Sequence, residues 1–154
     1  MTVVLGIDPG CSGALVLVTE QGGYIDHLAM PTIKVGTKSR VNGAAVAAWV
    51  RQYGITHAYL EQVGAMPGQG TASMFTFGHA AGVAEGLLQG LNIPYTLVTP
   101  QAWKKSAGLI GSDKDAARSR AIQLYPELRA LDAKAKGQAI ADALLIARFG
   151  IGVK

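Results

Sequence analysis

The chain has 154 residues and a formal net charge of +4, and 49% of its residues are hydrophobic while 16% are charged. This length fits one domain, residues 1–154, and the composition excludes a disordered chain. No apolar run is long enough to span a membrane, and no basic region of the kind found in signal peptides precedes the first apolar run. The lone cysteine, Cys11, cannot form an internal disulfide. We therefore expect a cytoplasmic protein with a reduced thiol and no membrane partner.

The first part of the chain predicts four strands and one helix. The segments "TVVLGID", "GALVLVTE" and "YIDHLAMP" read as strands, and "QGG" between the last two is typical of a hairpin turn. "GTKSR" is predicted as a polar loop. "NGAAVAAWVRQYG" predicts a helix that Asn42 caps and Gly54 ends, and "HAYLEQV" predicts the fourth strand.

The remainder of the chain predicts a long helix, a fifth strand and three more helices. The glycine-rich loop "GAMPGQGTAS" precedes a helix from about Ser73, its predicted cap, to Leu91. Glycines at 78, 82, 86 and 90 form a smooth stripe on this helix, which favours close packing against another backbone. "YTLVTP" predicts the fifth strand, and the last helices are "QAWKKSAG", "SDKDAARSRAIQLYP" and "GQAIADALLIARFG".

The order of these elements predicts an α/β fold. The first three strands are close enough along the chain to form an antiparallel meander, whereas helices separate the later strands and make them parallel through right-handed crossovers. We therefore expect a mixed five-stranded sheet with helices on both of its faces.

Three carboxylates interrupt otherwise apolar elements. Asp8 ends the first strand, Glu61 ends the fourth, and Asp142 shares a face of the last helix with apolar residues. Neighbouring strand ends and a helix packed across them would bring the three together. Because three carboxylates repel one another unless a cation neutralises them, and because oxygen ligands suit Mg²⁺ or Mn²⁺, the pattern predicts a metal site.

Each of these residues also has a simpler interpretation. Asp8 fits a turn through Pro9 and Gly10, Glu61 fits an ion pair with a lysine, and Asp142 fits a partly exposed helix position. Other chemistry has less support, since the three histidines lack metal-ligand spacing and the glycine-rich loop lacks the ending of a phosphate-binding P-loop.

Most of the basic residues lie after residue 100, which favours a polyanionic partner, although basic surfaces also occur on proteins that bind no nucleic acid. These basic residues include Lys104, Lys105, Lys114 and Arg118, and the glycine-rich loop contains Met66 and Gln69.

The motifs "GIDPG", "LEQV" and "IADALLIA", in this order and spacing, resemble the RuvC family of Holliday-junction resolvases over nearly the whole chain. "PGQGTASMFTFG" resembles the compact RuvC-like proteins of phages and prophages and related organellar resolvases. The resemblance implies an RNase H-like fold, a homodimer, and hydrolysis of DNA phosphodiesters with two divalent ions.

The same resemblance implies roles for individual residues. Asp8, Glu61 and Asp142 match the positions of metal ligands in the family motifs. Lys105 matches a catalytic lysine near the junction phosphates, and Lys114 resembles a second such lysine. In the glycine-rich loop, Met66 is a candidate wedge against an unstacked DNA base, or it packs under its own loop. With this family's substrate, the predicted DNA-binding residues are Lys104, Lys105, Lys114, Arg118, Met66 and Gln69.

The chain departs from the family at the fourth acid, which is usually one turn before the last aspartate. Gln138 or Ala139 stands at that point, and Gln138 shares a face with Asp142, so that its carbonyl oxygen is the candidate ligand. Asp132 is a more distant substitute. The sequence thus predicts a metal-dependent endonuclease for four-way and other branched DNA, with two alternatives: a junction-binding protein with weakened catalysis, or a nuclease for RNA or hybrids.

Overall fold

A five-stranded sheet lies at the centre of the computed structural model, which describes residues 1–153. The strands are β1 (Val3–Asp8), β2 (Ala14–Thr19), β3 (Tyr24–Ala29), β4 (Thr32–Val35), β5 (Lys38–Val41), β6 (Ile55–Glu61) and β7 (Tyr95–Val98). The helices are α1 (Gly43–Val50), α2 (Thr71–Gly90), α3 (Pro100–Ser106), α4 (Ala116–Leu124) and α5 (Lys134–Gly150), with a 3-10 helix at Arg129–Asp132.

The central sheet has the order β3-β2-β1-β6-β7. β1 and β3 are each antiparallel to β2, while β6 is parallel to β1 and β7 is parallel to β6. This arrangement confirms the predicted meander, the parallel crossovers and the mixed five-stranded sheet.

Helices cover both faces of the sheet because the strand residues alternate between two cores. Leu5 and Ile7 of β1 pack in the core that α1 and α2 complete, whereas Val4 faces the core that α4 and α5 complete. Both faces of β1 and β2 are therefore buried, which explains why these strands are continuous apolar runs. Within residues 1–153, no helix is both long enough and apolar enough to cross a membrane.

The predicted polar loop at "GTKSR" is wrong. The chain instead forms a separate two-stranded hairpin in which Thr32 pairs with Val41 and Val35 pairs with Lys38. Gly36 makes the turn with a φ of +64°. All of β4 is exposed, so this strand lacks the buried apolar face from which a strand is recognised in a sequence.

The helix boundaries correct two predicted caps. Asn42 does cap α1, since its side-chain oxygen accepts a hydrogen bond from the backbone N–H of Ala45 at 3.2 Å, but the helix ends at Val50, before Gly54. Helix α2 begins at Thr71 after Gly70, and no side chain caps it, so the prediction of Ser73 as its cap is wrong.

The glycine stripe on α2 does not pack against another backbone of the chain. A Cβ atom built on Gly78, Gly82, Gly86 or Gly90 meets no atom of the described residues within 4 Å. The close packing predicted for the stripe is therefore not made within the described residues, and the stripe is an open face of a 20-residue helix.

Candidate active site

The register of two parallel strands brings Asp8 and Glu61 to one edge of the sheet. Ile7 of β1 lies opposite Leu60 of β6, so the carboxylates that follow them fall side by side where the two strands end. Gly10 then turns the chain away with a φ of +124°, a backbone conformation that favours glycine.

Helix α5 brings the third carboxylate to the same edge because it crosses β1 at very close range. A Cβ atom on Gly6 would lie 2.2 Å from the carbonyl oxygen of Ala143 and 2.8 Å from the Cβ of Ala147, so only glycine permits this approach. Asp142 immediately precedes Ala143, and the close crossing holds it near the end of β1.

The three carboxylates are close enough for their charges to act on one another. Burial raises the pKa of the Asp8 carboxyl well above its ordinary value, and the negative charges of Asp142 and Glu61 raise it further. The charge of Lys104 acts in the opposite direction. Ionising all three groups without a cation is therefore unfavourable.

Glu61 and Asp142 each accept a hydrogen bond from a neighbouring side chain. The indole N–H of Trp103 donates to Oε2 of Glu61 at 2.6 Å, and Nε2 of Gln138 donates to Oδ1 of Asp142 at 3.0 Å. Burial nevertheless raises the pKa of Glu61, and burial together with the charge of Glu61 raises the pKa of Asp142 to about 6.

The chemistry of this donor set fits a hard divalent cation. Its donors are carboxylate and amide oxygens, and a cation would relieve the repulsion that raises the pKa of Asp8. Among residues 1–153, however, no group of three histidine, cysteine, aspartate or glutamate side chains has the arrangement of a bound metal site. Binding an ion would therefore require the carboxylates to adjust.

Lys104, not Lys105, lies beside the carboxylates. Its charge lowers the pKa of Asp8, Glu61 and Asp142 alike, and it lines a cleft of about 370 Å³ together with Asp142. Lys105 is exposed on α3 and does not line this cleft. The structure therefore places Lys104 next to the carboxylates, whereas the sequence indicates Lys105 for that position.

The other predicted residues of the basic region differ in their surroundings. Lys114 is exposed and lines the cleft that also contains Gln138. Arg118 is committed within the chain, since its guanidinium pairs with Asp115 at 2.9 Å and donates to the carbonyl oxygen of Leu131 at 3.1 Å. Its side chain is only 18% exposed.

Asp132 does not join the carboxylates. Its side chain pairs with Arg129 at 2.8 Å, within the 3-10 helix that precedes α5. Its possible substitution for the fourth acid is not supported, and Gln138 remains the polar residue beside Asp142.

The glycine-rich loop leaves Met66 67% exposed, so the alternative that Met66 packs under its own loop is wrong. Gln69 closes the loop: its backbone N–H donates to the Met66 carbonyl at 3.0 Å, and its side-chain oxygen accepts from the Met66 N–H at 3.2 Å. Both residues line a second cleft of about 360 Å³, which also contains Gln62 and Phe77.

Trp103 is the residue of the site that the sequence did not identify. It is fully buried next to Glu61 and uses its indole N–H to hold that carboxylate. A signal was present, because the helix that follows the fifth predicted strand starts beside the end of the fourth, and a buried indole N–H on that helix requires an acceptor.

The mixed sheet, with carboxylates at the ends of β1 and β6 and a third on the final helix, defines the class of RNase H-like nucleases. Residues 4–149 match the family model described as "Crossover junction endodeoxyribonuclease RuvC". The chain therefore belongs to the RuvC family. This family uses divalent metal ions, which agrees with the donor set described above.

Individual relatives agree with this assignment. The chain is 32% identical over 97 residues, 62% of its length, to the protein named "Holliday junction resolvase MOC1, chloroplastic" of Chlamydomonas reinhardtii, of which the match spans only 11%. Two solved structures of Thermus thermophilus RuvC share the fold. One is in complex with a Holliday junction substrate (TM-score 0.56, 16% identity, 97% of this chain and 92% of the other), and the second has a TM-score of 0.58 with 18% identity, covering 96% and 92%.

Proposed function

We propose that this chain is a metal-dependent endonuclease that nicks four-way junctions and other branched DNA by hydrolysing phosphodiester bonds. The observation that carries the proposal is the convergence of Asp8, Glu61 and Asp142 at one sheet edge in a chain of the RuvC family. The relatives named for Holliday junctions support the choice of substrate.

The carboxylates are the proposed ligands of the metal. Two divalent ions, Mg²⁺ or Mn²⁺, would supply an activated water and stabilise the departing 3′ oxygen. Asp8, Glu61 and Asp142 hold the ions, and Gln138 contributes a neutral amide oxygen in place of a fourth acid. Trp103 orients Glu61 through the 2.6 Å hydrogen bond, and this positioning supports the assignment of Glu61 as a ligand.

Lysines beside the site are the proposed phosphate contacts. Lys104 adjoins the carboxylates, so it offsets negative charge close to the reacting phosphate. Lys105 and Lys114 bind the flanking phosphates and position the junction. Arg118 contributes the least among the predicted DNA-binding residues, because its guanidinium is already engaged with Asp115.

The loop after Glu61 is the proposed contact to the junction centre. Met66 is exposed above a cleft, where an apolar side chain can insert beside an unstacked base. Gln69 maintains the loop conformation that presents Met66.

A homodimer is part of the proposal. The open glycine face of α2 gives a second copy of this helix a place to approach closely, since no side chain of residues 1–153 lies within 4 Å of a Cβ atom built on Gly82 or Gly86. A twofold dimer presents two equivalent sites to a branched DNA of near-twofold symmetry. A cytoplasmic location and a single nuclease domain over residues 1–154 stay predictions from the sequence.

A panel of labelled substrates tests the proposed activity. The wild-type protein is incubated with a four-way junction, a flap, a linear duplex and an RNA–DNA hybrid, in Mg²⁺, in Mn²⁺ and in EDTA. We expect nicking of the junction in at least one metal, none in EDTA, and little cleavage of the linear duplex. Preferential cleavage of the hybrid would contradict the choice of DNA junctions.

One observation favours a second function. Gln138 replaces an acid that the family usually supplies, which leaves the site with one charge less to hold its ions. The alternative is a junction-binding protein with weakened catalysis. Tight junction binding in EDTA, without nicking in either Mg²⁺ or Mn²⁺, would establish that alternative.

A further inference from the structure

A basic, aromatic groove lies beside the candidate active site and has no assigned role. It occupies about 540 Å³ between β5 and the first turns of α2. Lys38 and Arg40 line it from the hairpin, while Phe75 and His79 line it from the helix. No acidic residue of residues 1–153 contributes to its lining.

Phe75 presents an aromatic surface in this groove. Its side chain is 60% exposed, which is unusual for a phenylalanine that only serves packing. The guanidinium carbon of Arg40 lies 5.5 Å from the centre of its ring, and the ring of His79 lies 6.2 Å away. An exposed aromatic ring beside cations is the combination that binds nucleotides by stacking.

The charge of the groove favours a polyanion. Lys38 is exposed and Arg40 is half-buried, and the ion pairs found within residues 1–153 include neither of them. Their positive charges therefore face the groove uncompensated by a carboxylate. DNA phosphates complement such a surface, and the groove lies at the N-terminal turns of α2, before Gly82 and Gly86, where the second copy is proposed to cross.

The groove is continuous with the candidate active site. Thr76 lines both the groove and the cleft that contains Asp8 and Glu61. Cys11 of that cleft also donates a hydrogen bond to the carbonyl oxygen of Ser39 in the groove, at 3.5 Å. A DNA strand with one phosphate at the carboxylates would thus have the groove directly beside it.

We infer that this groove receives an unstacked nucleotide of the DNA strand that leaves the carboxylate site, with its base on the Phe75 ring and its phosphate on Arg40 and Lys38. The inference rests on the proposed function, because it requires DNA at the carboxylates. It adds to that function a second strand-holding site on the hairpin and α2.

Binding of a four-way junction in EDTA tests the inference. The wild type is compared with Phe75→Leu, which keeps an apolar side chain without a ring, and Phe75→Trp, which keeps a ring. We expect Phe75→Leu to weaken binding by about 5- to 150-fold and Phe75→Trp to retain it, because one stacked base is lost only in the former. A 2-aminopurine base beside the crossover should lose fluorescence on binding to the wild type but not to Phe75→Leu.

The phosphate contact is tested through salt dependence. Arg40→Gln should reduce the slope of log affinity against log salt by about 1, as expected for one lost phosphate contact. Arg51→Gln is the matched control: it removes the same charge from the exposed end of α1, outside the groove, and should leave the slope unchanged.

Three results would overturn the inference. The first is wild-type affinity and quenching in Phe75→Leu while the wild type still cleaves junctions, which would leave the proposed function intact. The second is dissociation of Phe75→Leu into monomers with normal binding per site, which would assign the groove to a second copy. The third is absence of junction binding and cleavage in the wild type, which would reject the proposed function as well.

Discussion

Asp142 shows how strongly a single environment can alter a carboxyl group. Burial and the charge of Glu61 raise its pKa from 3.8 to about 6, although the hydrogen bond from Gln138 and the charge of Lys104 oppose this shift. In the absence of metal, and between pH 3.8 and about 6, Asp142 is therefore protonated in a larger fraction of folded molecules than of unfolded ones.

This shift predicts a pH-dependent stability of the metal-free protein. Between pH 3.8 and about 6 the folded state binds more protons at Asp142 than the unfolded state, so the contribution to stability falls as the pH rises through this range. Thermal unfolding in EDTA at several pH values should show the fall, and Asp142→Asn should reduce it. An equally steep fall in Asp142→Asn would contradict the account of this residue.

Gln138 leads to a second prediction at this scale. Gln138→Asp adds a carboxylate next to Asp142, and we expect tighter divalent-metal binding together with lower stability of the metal-free protein. Calorimetric titration with Mn²⁺ measures the affinity and thermal unfolding in EDTA measures the stability. Gln138→Asn, which changes length but adds no charge, is the control. Unchanged metal affinity in Gln138→Asp would indicate that this position does not face the ion.

Individual residues also mark the limit of what the sequence predicted. Asp8, Glu61 and Asp142 were identifiable because each interrupts an apolar element, and in the folded chain the charges of Asp142 and Glu61 raise the pKa of Asp8. Their role as metal ligands stays a prediction. Which of the adjacent Lys104 and Lys105 faces that cluster depends on the rotation of a seven-residue helix. A short helix without a clear apolar period does not define that rotation.

At the scale of elements, the contact between β1 and α5 determines the geometry of the site. Gly6 lets the helix backbone lie against the strand, and this contact holds Asp142 over the edge where Asp8 and Glu61 end. The close contact at Gly6 thus sets the position of Asp142, and with it the strength of its interaction with Asp8.

The variant Gly6→Ala tests this coupling. Because the new Cβ would lie 2.2 Å from a backbone oxygen, α5 must shift, and we expect a loss of about 1–3 kcal/mol in unfolding free energy with reduced junction cleavage. Urea unfolding gives the stability. Gly54→Ala is the control, since a Cβ there meets nothing within 4 Å, and it should cost no stability. Equal stability of the two variants would contradict the close contact.

The predicted elements succeeded where burial is strong and failed where it is weak. β1 and β2 are buried on both faces, so their apolar runs were recognised as strands. The hairpin of β4 and β5 was missed because its first strand is exposed throughout and its residues mix lysine, threonine and apolar side chains. Pairing between these two short strands, rather than burial, defines them.

At the scale of the whole molecule, the proposed homodimer would place the open face of α2 between two copies of the chain. Its glycines pack against nothing within the described chain, so substituting them should not disturb the isolated fold. Any effect of such a substitution on assembly would come from a contact between copies.

Gly82→Glu is the corresponding variant. We expect the wild type to sediment as a dimer and Gly82→Glu as a monomer, because a charge at the helix crossing prevents close approach. Sedimentation equilibrium measures the mass, and far-ultraviolet circular dichroism confirms that the variant is folded. Gly54→Glu adds the same charge elsewhere and should remain dimeric. A monomeric wild type, or a dimeric Gly82→Glu, would reject this interface.

The central claim is that Asp8, at the end of β1, is part of a metal-dependent site that cleaves branched DNA. The most direct test is cleavage of a labelled four-way junction by the wild type and by Asp8→Asn, in Mg²⁺ and in Mn²⁺, with binding measured in parallel in EDTA. The account predicts that the wild type nicks the junction and that Asp8→Asn does not, while Asp8→Asn binds the junction at least as tightly because a negative charge has been removed. Full cleavage by Asp8→Asn would contradict the assignment.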